Sequence, residues 1–170
     1  MTTWRATIRR IALVLAVTPL VVAILSLTTP MGRTTLGVTF CYPVFGPLQR
    51  FDPTLSDSLL ARVRAHEGAH ADQCRHDGAL WYAIRRLAPR QRLLSEADSY
   101  CAEIRLGMAH GGSVRLLYAS ALDELRERRW FHRFSMTGLA DALASQCPAI
   151  AARAAREETE WRARLQTHRL

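Results

Sequence analysis

The chain has 170 residues, enough for one ordinary domain and too few for two. Its formal charge is +8, carried on the basic side entirely by arginine, and without the three arginines of its first ten residues it is still +5 over residues 33–170. No segment gathers that charge into a dense tract interleaved with aromatics, which excludes a nucleic-acid groove and leaves a solvated basic surface.

Residues 1–10 carry Arg5, Arg9 and Arg10 and no acid, and residues 11–27, IALVLAVTPLVVAILSL, carry no charge. Seventeen residues reach the lower bound for a membrane-spanning helix and exceed the apolar core of a cleaved signal. No small-x-small cleavage site precedes Gly32, and spanning helices tolerate a proline such as Pro19. Residues 1–32 therefore read as a signal anchor that tethers the chain to a membrane, with a cleaved signal and a secreted product as the alternative. The flanking arginines keep the N-terminus cytoplasmic and place the domain, residues 33–170, on the extracytoplasmic side.

Residues 34–42 alternate Leu36, Val38 and Phe40 with Thr35, Gly37 and Thr39, which predicts one short strand. Pro43, Gly46, Pro47 and Pro53 mark an irregular link, and Asp52-Pro53 or Ser56 can cap a helix. Helices follow over 56–76, stopping near Gly78; 79–87, before Pro89; 90–109, at Gly111-Gly112; 113–130; 136–146, up to Pro148; and 149–167. The fold class is mainly α. The four cysteines, Cys41, Cys74, Cys101 and Cys147, all lie beyond the apolar segment, and an even count in an exported domain predicts two disulfides.

The first of these helices contains His66-Glu67-Gly68-Ala69-His70. Side chains four apart lie one turn above each other, so two imidazoles can meet one ion at about 2.0–2.1 Å. Glu67, about 100° around the helix, falls beside such an ion and suits a general base. Leu59, Leu60, Val63, His66, Glu67, His70 and Cys74 form one stripe, so the polar triplet points inward, where it is costly without a partner. Cys74 lies roughly 9 Å along the axis from the midpoint of the histidines, beyond reach as a ligand, and so does His76. A third ligand must come from elsewhere, and Glu96, Asp98 and Glu103 on the 90–109 helix are the candidates. Periodicity does not choose among them, since Glu96 and Asp98 flank the apolar face on either side.

Residues 56–104 resemble the gluzincin zinc metallopeptidases, in which a glutamate on a later helix completes a His-His-Glu site. Their second motif often reads Glu-x-x-small-Asp, which maps onto Glu96, Ser99 and Tyr100. The resemblance implies a zincin-like domain, zinc as cofactor, His66, His70 and Glu96 as ligands, and Glu67 as the base that takes a proton from a zinc-bound water and passes it to the leaving amine. Tyr100 stands where the family usually has an acid behind a ligand histidine, and a hydroxyl replaces it only in part. Tyr100, His110, Tyr118 and His132 are candidates to stabilise the oxyanion. The strand before the motif helix could receive an extended peptide by strand addition. A Cys74–Cys101 bridge would tie the two ligand helices together and leave Cys41 to pair with Cys147.

The expected function is thus a membrane-anchored zinc metallopeptidase acting on a peptide or protein substrate. Two rivals remain: a zincin-like domain that binds metal or partners without turnover, and a disulfide-linked helical envelope protein without metal. Metal content separates the last from the others, and hydrolysis that depends on Glu67 separates the first two.

Overall fold

A computed structural model describes residues 36–167 and Ile24. The expected anchor lies outside the described residues, and no helix among them is long and apolar enough to cross a membrane. The chain runs through β1 (Gly37–Tyr42), β2 (Gly46–Phe51), α1 (Asp57–Asp77), α2 (Ala79–Leu87), α3 (Pro89–Ala109), α4 (Val114–Glu127), a 3-10 turn (Arg129–Phe131), α5 (Met136–Gln146) and α6 (Pro148–Thr167). The helices fall within a few residues of the expected bounds because their stops are chemical. Gly78 and Gly111 take the left-handed φ values of +74° and +81° that end α1 and follow α3. Pro89 opens α3 at its first turn, where its missing N–H costs nothing.

One expectation is corrected. The stretch after Tyr42 is a second strand, antiparallel to β1, with Tyr42 opposite Gly46 and Gly37 opposite Phe51. Gly46, at φ +72°, makes the turn, and Pro47 is accommodated in a two-stranded ribbon that has no central strand.

The hairpin lies against α1, and the approach is close at one point. A Cβ built on Gly37 would come within 2.5 Å of Val63 Cγ1 and 3.0 Å of Glu67 Cγ. On its other side α1 packs on α3, and the side-chain bonds show that the two helices run antiparallel. Arg62 and His66 reach Glu103, while Gln73 reaches back to the Ser95 carbonyl.

α3 has two working faces. Leu93, Ala97, Cys101 and Ile104 enter a core shared with Val114, Ala121 and Leu125 of α4, Leu139 and Leu143 of α5, and Ile150 and Ala154 of α6. Each large aliphatic side chain there contributes about 1.5–3 kcal/mol. Glu96, Ser99 and Glu103, at helical spacing on the other face, turn toward the histidines of α1.

Both expected disulfides form, with different partners. Cys41 on β1 pairs with Cys74 in the last turn of α1, and Cys101 on α3 pairs with Cys147 at the end of α5, with Cα separations of 5.7 and 6.0 Å. The Cys74–Cys101 and Cys41–Cys147 pairing fails because α1 and α3 are antiparallel. Cys74 stands level with Ser95, so Cys101 lies about 9 Å farther along the pair of helices at 1.5 Å per residue. Closing loops with separations of 33 and 46 residues, each bridge restricts the unfolded chain by roughly 4 kcal/mol in the chain-entropy model.

Candidate metal centre

His66 and His70 sit one turn apart on the inward face of α1, with their rings 5.0 Å apart and nearly perpendicular. Glu96 of α3 faces both: its Oε2 is 3.4 Å from His66 Nε2, and its Oε1 is 3.5 Å from His70 Nε2. All three residues are buried, at 5, 3 and 2 % exposure, so the ligand atoms are shielded from bulk water. One donor atom from each lies within 4.8 Å of the others, so the group can bind a metal ion.

The two contacts end on different oxygens of Glu96, so its carboxylate spans both imidazoles. Glu96 Oε2 also has no hydrogen-bond partner of good geometry among the described residues. Arg128 NH1 does lie 2.8 Å from that oxygen as an ion-pair partner. The pair is close but poorly aligned, which leaves a lone pair on Oε2 for a cation.

The other ring nitrogens have partners of their own. His66 Nδ1 bonds Glu103 Oε1 at 2.8 Å, and His70 Nδ1 bonds Gln73 Oε1 at 3.1 Å. A proton on each Nδ1 would make the two Nε2 atoms, which face Glu96, the donors to an ion; His70 Nε2 also lies 3.3 Å from the Ser99 hydroxyl. Glu103 is held in turn by Arg62, 3.0 Å away. Glu103, one turn beyond Tyr100, thus places a carboxylate behind His66. Asp98 is engaged elsewhere, accepting from Gln73 Nε2 at 2.8 Å, and is not part of the cluster.

The electrostatics favour positive charge at this point. Burial works against a charge on His66, yet its bonds to Glu103 and Glu96 outweigh burial and raise its pKa to about 9. Burial likewise opposes ionisation of Glu96, but His66, His70 and Arg128 hold its carboxyl well below the usual range.

Glu67 is buried and turned toward the hairpin. The Thr39 hydroxyl on β1 lies 2.7 Å from Glu67 Oε2 and 3.0 Å from the Glu67 carbonyl, so it can donate to either. Tyr82 of α2 is buried in the same neighbourhood. Burial raises the pKa of its hydroxyl, Arg86 beside it opposes the rise, and the charges of Glu96 and Glu67 add to it.

Of the oxyanion candidates, only Tyr100 is brought to the site. Its ring packs edge-on against His66 at 4.9 Å, and its hydroxyl accepts from Arg128 Nε at 3.1 Å. His132 is exposed, in a separate cleft with Asp123, Arg126 and Glu127 at the C-terminal end of α4. Tyr118 donates to the Ala140 carbonyl, and His110 is exposed and bonds the Leu106 carbonyl.

Two cations that sequence reasoning passed over stand at the centre. Arg86 NH2 is 2.9 Å from Glu96 Oε1, and Arg128 approaches Oε2 as described. Local periodicity carries no signal for them, because both lie at helix ends that only the packing of α2 and α4 against α3 brings to Glu96.

Compared with protein-family models, with curated proteins and with solved structures, the chain matches none. The functional reading rests on the site itself.

Proposed function

We propose that the protein is a zinc-dependent peptidase of the gluzincin type, tethered to a membrane by its N-terminal segment with the catalytic domain on the extracytoplasmic side. The observation that carries the reading is the buried His66, His70 and Glu96 group, one donor atom of each lying within 4.8 Å of the others. Two imidazoles and one carboxylate suit zinc and leave one coordination position for water or substrate, the arrangement of a catalytic rather than a closed structural site. Zinc held there by His66, His70 and Glu96 would supply a Lewis acid that activates water near neutral pH.

The chain's own groups account for the rest. Glu67, adjacent to His66 on α1 and steadied by Thr39, accepts a proton from the attacking water and returns it to the leaving amine. Glu103 and Gln73 hold the two imidazoles in the tautomer that ligation requires. Tyr82 and Tyr100, whose hydroxyls accept from Arg86 and Arg128, are the candidates to donate to an oxyanion. The two disulfides support an oxidising compartment, in line with the export reading.

A second reading, a metal-binding domain without turnover, draws on the burial of all three ligands. Glu67→Gln separates the two. In a peptidase the variant keeps one zinc per chain and loses peptide hydrolysis by at least about 100-fold, the scale of general-base catalysis. Unchanged hydrolysis, or none in the parent with zinc bound, rejects the peptidase reading.

A further inference from the structure

Glu96 attracts more positive charge than one carboxylate needs. Arg86, near the end of α2, contacts Glu96 Oε1 at 2.9 Å and donates to the Tyr82 hydroxyl at 2.9 Å. Arg128, just past α4, contacts Oε2 at 2.8 Å and the Tyr100 hydroxyl at 3.1 Å. Arg92, one turn before Glu96 on α3, stacks on the Trp130 ring at 4.3 Å. The side chains of Arg86 and Arg128 are 25 and 42 % exposed against 3 % for Glu96, so the guanidiniums cover the solvent side of the carboxylate while the histidines occupy its buried side.

Counting charges shows what this does. Glu67, Glu96 and Glu103 contribute three negative charges around the centre, and Arg86, Arg92 and Arg128 contribute three positive ones. Arg62 is shared between Glu103 and Glu124 at the rim. A divalent cation on His66, His70 and Glu96 would then leave a positive excess on the partly exposed guanidiniums, which an anionic guest can offset. Such an ion would draw on the lone pairs of Glu96 and weaken its hold on both guanidiniums. Arg86 donates to one oxygen of that carboxylate, and Arg128 lies against the other as an ion-pair partner.

We infer that Arg86, Arg92 and Arg128 form a carboxylate subsite beside the metal ligands, and that the enzyme selects substrates with a carboxylate on the residue next to the scissile amide. The inference rests on the metal site of the proposed peptidase. A cleft of about 220 Å³, lined by Arg86 with Tyr82, Arg85, Gln91 and Ser95, meets this subsite at Arg86 alone; Arg92, Arg128 and the metal ligands do not line it. Its two acids are occupied, Asp77 by Arg85 and Asp98 by Gln73. A space this small accepts one residue rather than a length of chain. That favours the α-carboxylate of a C-terminal residue over an acidic side chain within a peptide.

The test uses the full chain in detergent, loaded with zinc and carrying Glu67→Gln so that ligands are not consumed. Calorimetry compares N-acetyl-Ala-Ala with its C-terminal amide, and N-acetyl-Asp-Ala-amide with its Asn counterpart. Preference for the first acid over its amide, by roughly 10- to 100-fold, is expected for charge-assisted hydrogen bonds. Preference only in the second pair keeps the carboxylate subsite and assigns it to acidic side chains. Arg86→Gln and Arg128→Gln reduce the preference with zinc stoichiometry unchanged, and Arg86→Lys and Arg128→Lys serve if a glutamine variant misfolds. Equal binding of acid and neutral partner in both pairs, no binding at millimolar concentration, or a preference that survives both arginine changes overturns the inference. Absence of zinc in the parent would instead reject the metal site itself.

Discussion

Glu96 completes, with the two histidines, a group that can bind a metal ion, and Glu103 is the residue that aims one of them. With its Nδ1 held by Glu103, the His66 ring presents Nε2 to Glu96. Glu103→Gln keeps the shape but removes the charge that makes Nε2 a better donor. It should weaken zinc binding about 10- to 100-fold, as measured by competition with a chelator, without unfolding the domain. Undiminished affinity would mean that Glu103 has no such role. Protons compete for the same nitrogen. With a pKa near 9 for His66, ligation below that pH must displace a proton. Zinc affinity should therefore rise with pH, by about tenfold per unit for one displaced proton, and level off above about 9. Chelator competition from pH 6 to 10 measures this, and a flat profile would contradict it. At this scale the sequence was informative where the chemistry is local. His66, Glu67 and His70 share one helix, and the 3.6-residue period alone turns them inward. Glu96 needed the family resemblance, and Arg86, Arg128 and Glu103 needed the inter-helix packing, which no local pattern encodes.

The hairpin and α1 form the element pair that positions the proposed base. Thr39 reaches Glu67 because β1 lies unusually close to the helix at Gly37. An alanine there would drive its methyl into Val63, a stiff β-branched side chain, and against Glu67. Gly37→Ala should lower stability by about 1–3 kcal/mol in denaturant unfolding, and it should reduce turnover more than zinc content. A variant as stable as the parent would show that the approach is not tight. The strand at Gly37–Tyr42 was legible from its alternation. Its partner was not, because Pro47 and Gly46 are the residues that usually interrupt a strand, and a two-stranded ribbon tolerates them. The cysteine pairing was misjudged for a related reason. Sequence order suggests that the ligand helices should be stapled to each other, whereas their antiparallel register separates Cys74 from Cys101 and offers each a nearer partner, on β1 and after α5.

Across the whole molecule, α3 divides the work. One face belongs to the apolar core with α4, α5 and α6, and the other meets α1 to enclose the histidines. The helical order and most helix ends were readable from glycine, proline and periodicity, so the fold class followed from the chain alone. The account stands on one ion held between α1 and α3. Zinc-edge X-ray absorption of the purified full chain tests this most directly. The account predicts nitrogen and oxygen neighbours at about 2.0–2.1 Å, with outer scattering from two imidazoles that falls to one in His70→Ala. Sulfur at about 2.3 Å, or an imidazole signal unchanged in both His66→Ala and His70→Ala, would contradict it.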